Sequence, residues 1–229
     1  MNQFTISART IGEAWVTSVD YVLEHGEPFY DEDIELLETV GLSLLIERPS
    51  TVDNIIDRLG DHDVIQHTLA KFEKGVRMSN RPFTYGDRIF CKNGVDQFEW
   101  LVDRLKRKPE TKSATISLLI EGDTNSNLPC LNIIDAKIRK GRLNMQFFFR
   151  SQNIVGRQYA NLMALAKLQN KLANRLSVDV GFLAGYVASA HIYKYDFDFA
   201  KNIHTTSVSL NDLFYSCGPK SIRNNSSFK

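Results

Sequence analysis

Between Gln158 and Leu176 a leucine returns every three or four residues, at Leu162, Leu165, Leu168, Leu172 and Leu176, the spacing of one face of an α-helix. A helix with so continuous an apolar stripe must bury it against another layer. The flanking chain says which layer. Ala114 to Glu121, Cys130 to Ile138 and Leu143 to Arg150 read as strands before the helix. Gly181 to Phe199 follows it with β-type alternation, ending in His191-Ile192-Tyr193-Lys194-Tyr195. Strands on both sides of one buried helix predict an α+β fold, a mixed and mostly antiparallel sheet packed with helices.

The N-terminal part adds further elements. Ile11, Ala14, Trp15, Val19, Val22 and Leu23 share a helical face over Ile11 to Glu24, closed by His25-Gly26. Ile34 to Ile46 reads as a strand that can bend at Gly41. Ser50-Thr51-Val52-Asp53 reads as a capping box opening a short helix that stops at Gly60. A helix is expected over Val64 to Lys74, and a loop over Met78 to Tyr85. Val95, Phe98, Leu101, Val102 and Leu105 then mark another helix, whose basic end, Arg104 to Lys108, suits the negative pole of the helix dipole.

Charge and cysteine usage narrow the function classes. The 229 residues carry 28 Lys+Arg against 27 Asp+Glu, so the broad cationic surface of a nucleic-acid-coating protein is not expected. No apolar run can span a bilayer, and the N-terminus lacks the basic-then-apolar layout of a leader. A cytoplasmic location without membrane contact is the expectation. With no internal repeat, one domain is expected over 1–220, followed by a polar tail over 221–229. Three scattered cysteines, Cys91, Cys130 and Cys217, form no disulfide framework, and the chain has no CxxC or HExxH spacing for a metal.

Four local features carry chemistry, each with a plain structural alternative. Cys130 follows Pro129 at a strand start, after the polar stretch Gly122 to Asn127; it is a nucleophile or a packing thiol. Arg150-Ser151 ends a strand with a cation and a hydroxyl, fit to bind phosphate or to form a surface ion pair. His191 and Tyr193 fall on one strand face, as a hydroxyl-binding pair or an aromatic pair at the sheet margin. Asn161 is a helix-start residue or an amide reading a base edge. Asp196 and Asp198, on one strand face by the same alternation, read as a solvated acidic edge and not a metal site.

Together these features resemble the C-terminal half of thymidylate synthases and the related pyrimidine-nucleotide hydroxymethylases. That family has a Pro-Cys nucleophile, an Arg-Ser pair twenty residues on, an Asn eleven residues later and a His-x-Tyr thirty residues after that. Pro129-Cys130, Arg150-Ser151, Asn161 and His191-Ile192-Tyr193 keep those intervals. Tyr85-Gly86-Asp87-Arg88 is similar to the family's Tyr-Gly segment, and Lys112 to Ser117 to the basic strand start that follows it. The likeness runs from about Tyr85 to Tyr193.

The resemblance implies a thymidylate synthase-like fold and one-carbon transfer from 5,10-methylenetetrahydrofolate to C5 of a pyrimidine nucleotide. C5 is a poor nucleophile until the Cys130 thiolate adds at C6. Cys130, Tyr85 and Asn161 would be catalytic. Arg150, Ser151 and Lys112 would hold the phosphate, with Lys112 serving the neighbouring subunit of a homodimer with a shared active site. His191 and Tyr193 would hold the sugar hydroxyl, Asn161 would read a uracil edge, and Asn153 would meet the folate cosubstrate. The implied reaction is dUMP to dTMP, with a hydroxymethylase, or a nucleotide-binding protein without catalysis, as alternatives. Cys91 and Cys217 then remain packing thiols. The chain departs from the family pattern in carrying Leu131 after the cysteine, Lys112-Ser113 for two arginines, no Lys or Arg from Glu27 to Glu47, and Asn153 for an Asp. The family's acidic position falls on Thr68, with Glu73 nearby.

Overall fold

In a computed structural model, which describes residues 4–79, 82–120 and 128–203, the leucine-striped segment is helix α6 (Tyr159–Leu176). Leu162, Leu165, Leu168 and Leu172 are buried on it. Beneath α6 lies one sheet of eight strands: β1 (Phe4–Ala8), β2 (Glu27–Asp31), β3 (Ile34–Ile46), β4 (Thr115–Ser117), β5 (Leu131–Arg139), β6 (Arg142–Phe149), β7 (Gln152–Asn153) and β8 (Asp179–Tyr193). Their order is β1-β3-β8-β6-β5-β4, with β2 also on β3 and β7 on β8. The β2–β3, β3–β8, β4–β5 and β5–β6 pairs are antiparallel; β1–β3, β6–β8 and β7–β8 are parallel. The expected α+β class with a mixed sheet is what forms.

Particular side chains lock the helices to this sheet. The buried Gln169 amide of α6 donates to Leu143 O at 2.8 Å and Phe182 O at 3.0 Å, tying the helix to β6 and β8. Helix α1 (Ile11–His25) presents Trp15, whose indole donates to Ile154 O at 3.0 Å while its ring packs 4.5 Å from that of Tyr159. The β5–β6 hairpin turns on Lys140 and Gly141, both at positive φ, as a two-residue turn matched to strand twist requires.

Capping chemistry sets the remaining helix ends and corrects several sequence expectations. Asp53, and not Ser50, caps α2 (Asn54–Leu59), because its carboxylate accepts from the backbone of Ile55 and Ile56. Asp61 likewise starts α3 (His62–Lys71) two residues earlier than expected, and Phe72 closes it. Tyr85 is not loop: Thr84 and Asp87 form the capping box of α4 (Tyr85–Phe90). Asp96 caps α5 (Gln97–Arg107), whose basic end is largely exposed as expected.

The end of β8 also differs. Strand pairing stops at Tyr193, opposite Leu36; beyond it the backbone satisfies its own hydrogen bonds in a 3-10 turn at Lys194–Asp196 and a helical segment over 197–203. Asp196 and Asp198 therefore share no strand face. The expected bend at Gly41 is present, at φ 91°. Across from it, the buried row of β8 passes from Leu183 and Val187 to Ala190 and Ile192. That change of parity continues the apolar core with Ala190 and Ile192, while His191 is buried on the other face of the strand beside the half-buried Tyr193. No helix of the described residues is long and apolar enough to cross a membrane.

Candidate active site

The β5–β6 hairpin joins the two ends of the cysteine-to-arginine interval. Leu131 pairs with Phe149, so Cys130, just ahead of β5, meets Arg150, just after β6, and the Arg150 amide donates to Cys130 O at 2.9 Å. The Arg150 guanidinium folds back on the same turn, donating to Pro129 O and Leu128 O, each at 3.2 Å. The Cys130 thiol is free and half-buried on this turn. Asn132 donates to Pro129 O at 2.9 Å and braces the turn from its other side.

Tyr85 reaches this turn from α4. Its hydroxyl accepts from the Leu131 amide at 3.3 Å, and its ring lies 4.7 Å from that of Phe72. Cys130 opens into a cavity of about 50 Å³ lined by Lys71, Phe83, Thr84, Tyr85, Arg88, Leu128 and Pro129. Larger clefts of about 370 Å³, between α3 and α6, and about 830 Å³, beside Arg9 and Arg48, do not touch the cysteine.

Beyond the thiol stands the aromatic pair. His191 and Tyr193 meet edge to face at 5.0 Å, and Tyr193 stacks on Tyr195 at 5.1 Å. The Tyr193 hydroxyl donates to Asp31 at 2.6 Å. Burial, then the Asp31 carboxylate, hold this phenol well above its ordinary range, and charge on Cys130 adds to the effect. Burial pushes the His191 imidazole below its usual value against the opposing pull of Ser189, Glu38 and Asp31, so the ring is neutral at neutral pH. Ser189 links the two groups behind it: its hydroxyl donates to Glu38 and lies 3.5 Å from His191 Nδ1.

The other expected residues divide. Asn153 pairs with His191 across β7 and β8, accepts from the Gly156 amide at 2.8 Å and donates to Asp196 at 3.1 Å. It thereby starts a π-helical turn, Ile154–Gln158, that leads into α6. Ser151 and Asn161 are half-buried and make no side-chain hydrogen bond among the described residues. Lys112 is exposed ahead of β4; since Thr115 pairs with Asp135, it lies towards the end of β5 remote from Cys130. Thr68 is buried on α3, and Glu73 is committed to Lys167 at 2.6 Å instead of facing the thiol. Cys91 is exposed, which corrects its reading as a packing thiol, whereas Cys217 and the Gly122 to Asn127 stretch lie outside the described residues. No group of three or more His, Cys, Asp or Glu that could hold a metal occurs among the described residues.

Sequence reasoning did not reach three neighbours of the site: Lys71, Arg88 and Asp31. Helical spacing offered a hint for two of them. Lys71 is three residues after Thr68, and Arg88 three after Tyr85, so each shares a face with a position already singled out. Asp31 had no comparable signal.

Comparison with known proteins places the chain among relatives. The family model described as thymidylate synthase matches residues 58–212. A protein of Methanosarcina mazei named "Putative thymidylate synthase" is 31% identical over 202 residues, spanning 86% of this chain and 93% of its own. A protein of the same name from Methanothermobacter marburgensis is 29% identical over 222 residues, spanning 87% and 97%. With the Pro129-Cys130 turn gripped by Arg150 and a His-x-Tyr pair assembled on a sheet of this topology, and with these matches over most of its length, the chain belongs to the thymidylate synthase family.

Proposed function

We propose that this protein transfers a one-carbon unit from methylenetetrahydrofolate to C5 of a uracil nucleotide, converting dUMP to dTMP through a covalent Cys130 adduct at C6. The observation that carries the reading is the Cys130 turn, held by the Arg150 guanidinium at Pro129 O and Leu128 O and by the Tyr85 hydroxyl at Leu131 N. The thiolate adds at C6 and makes C5 a carbon nucleophile. Methylenetetrahydrofolate supplies the methylene group and the hydride. Arg150 retains donor capacity for a phosphate oxygen, with Ser151 as a second donor. The uncommitted Asn161 amide reads the O4/N3 edge of uracil, presenting one donor and one acceptor. Neutral His191 and Tyr193 hold the sugar hydroxyl. A pterin near Asn153 meets an amide paired with the Asp196 carboxylate, a mixed donor and acceptor surface.

A second copy belongs to the proposal. Lys112 of the partner subunit provides the phosphate cation that Lys112, remote from its own Cys130, does not. The sheet offers a surface for such pairing, because Ile133, Phe148 and Tyr186 stand side by side across β5, β6 and β8. Ile133 on that row is 40% exposed and Val40 on β3 is 65% exposed. Purified protein incubated with methylenetetrahydrofolate and dUMP, UMP, dCMP or CMP tests the reaction by product mass. A methylated uracil nucleotide is expected. A hydroxymethyl product would assign the hydroxymethylase reaction, and no product or covalent adduct with any of the four would overturn the enzyme reading.

A further inference from the structure

The cavity into which Cys130 opens is walled by two cations, Lys71 and Arg88, and by the Tyr85 hydroxyl; among the described residues, none that lines it is Asp, Glu or His. Addition of a thiolate to C6 of uracil drives negative charge onto O4, and that charge calls for a proton. Thr68 occupies one candidate position, and Glu73 is paired with Lys167. Arg88 is 2% exposed, its Nη1 donates to Leu118 O at 2.7 Å, and a guanidinium does not release its proton in this pH range. It is a fixed charge.

Lys71 differs in kind, since an ammonium is both a strong donor and, once deprotonated, a base. The fold also holds its backbone firmly against the cysteine cavity. Lys71 is the last residue of α3; the next residue, Phe72, packs on the Tyr85 ring at 4.7 Å. Gly86 lies so close to the end of α3 that a Cβ there would fall 2.0 Å from Glu73 O. The end of α3 and the start of α4 are therefore in backbone contact, and Lys71 and Tyr85 enter one cavity from two abutting elements.

Resting on the uracil reading above, we propose that Lys71 is the acid–base residue of this site, protonating O4 as Cys130 adds at C6 and recovering that proton when the thiol is expelled. In the forward step the thiolate pair forms the S–C6 bond, the C5=C6 pair moves to C4–C5, and the C4=O pair moves to O4. O4 takes a proton from Lys71 Nζ. Nothing leaves: thiolate and ammonium become thioether and amine, and reversal restores both.

Exchange of the C5 hydrogen of dUMP and UMP with D2O, followed by mass spectrometry without folate, reads this step. The wild type should exchange, and Lys71→Gln should slow exchange at saturating nucleotide by about 100-fold or more, within the usual span for an acid–base group. Nucleotide affinity should move by no more than a few-fold. Lys71→Arg should fail to rescue, because it restores charge without a transferable proton. Should Lys71→Gln melt early, Lys71→Met provides the same test. Exchange at the wild-type rate in the Gln variant, recovery in the Arg variant, or a loss seen only in affinity would each overturn the assignment. A wild type that neither exchanges nor forms a Cys130 adduct with the 5-fluoro nucleotide would instead remove the uracil reading, and the role of Lys71 with it.

Discussion

At the scale of single residues, the site is a set of polarised pairs. Arg150 supports Cys130 through carbonyls of the turn, which leaves the sulfur free to react. Replacing the proposed nucleophile with a weaker one of similar size should separate chemistry from binding. Cys130→Ser should lose turnover by at least ~1000-fold while nucleotide affinity, measured by calorimetry, stays within a few-fold; turnover near the wild-type rate would refute the covalent reading. His191 allows a test without substrate. Its folded pKa lies below the ordinary 6.5, so as pH falls below that value the unfolded chain takes up a proton that the folded chain refuses. Its contribution to stability is complete above about 6.5 and is lost as pH falls towards the folded value. The melting temperature should fall between about pH 7 and 5.5, and His191→Asn should flatten that slope. Parallel slopes would show that burial of the imidazole does not control it.

Elements depend on close approaches that composition does not announce. Gly86 is needed where α4 abuts α3, because any side chain there meets the Glu73 carbonyl. Gly86→Ala should lower stability by ~1–3 kcal/mol in urea unfolding, the usual effect of overpacking, and should slow adduct formation by moving Tyr85 and Lys71 apart. Unchanged stability would mean that the two helix ends yield to a methyl group. The helices themselves were legible in the sequence. The leucine stripe of α6 and the apolar face of α1 follow the 3.6-residue period, and burial of Leu162, Leu165, Leu168 and Trp15 follows from it. Helix starts were less legible, as at Asp53 and Asp61, because several polar residues compete for one cap and backbone geometry selects among them.

For the whole molecule, the proposed second copy makes its own prediction. Lys112 and Cys130 lie towards opposite ends of β5, so a shared site predicts that defects in them complement. Cys130→Ser and Lys112→Ala, each weak alone, should regain activity when their subunits are mixed and exchanged, since one site in a hybrid dimer carries both native residues. Sedimentation should show a dimer. A monomer with full activity, or mixtures no better than their parts, would refute the shared site.

The same scale separates what the linear chain determined from what three-dimensional packing decided. The spacing of Pro129-Cys130, Arg150-Ser151, Asn161 and His191-x-Tyr193 was enough to point to the family, and periodicity to the α+β class. Those signals are local: a helix repeats within four residues, a strand within two, and a hairpin brings Cys130 to Arg150 by simple pairing. Tertiary structure alone put Lys71 and Arg88 around the thiol, gave Asp31 to Tyr193, sent Glu73 to Lys167, and buried His191 on the strand face opposite that of Ala190 and Ile192. Each of these depends on sheet register and on how helix ends abut. Such contacts join residues tens or more than a hundred positions apart, and the free energy that selects them belongs to the packed molecule and to no single segment of the chain.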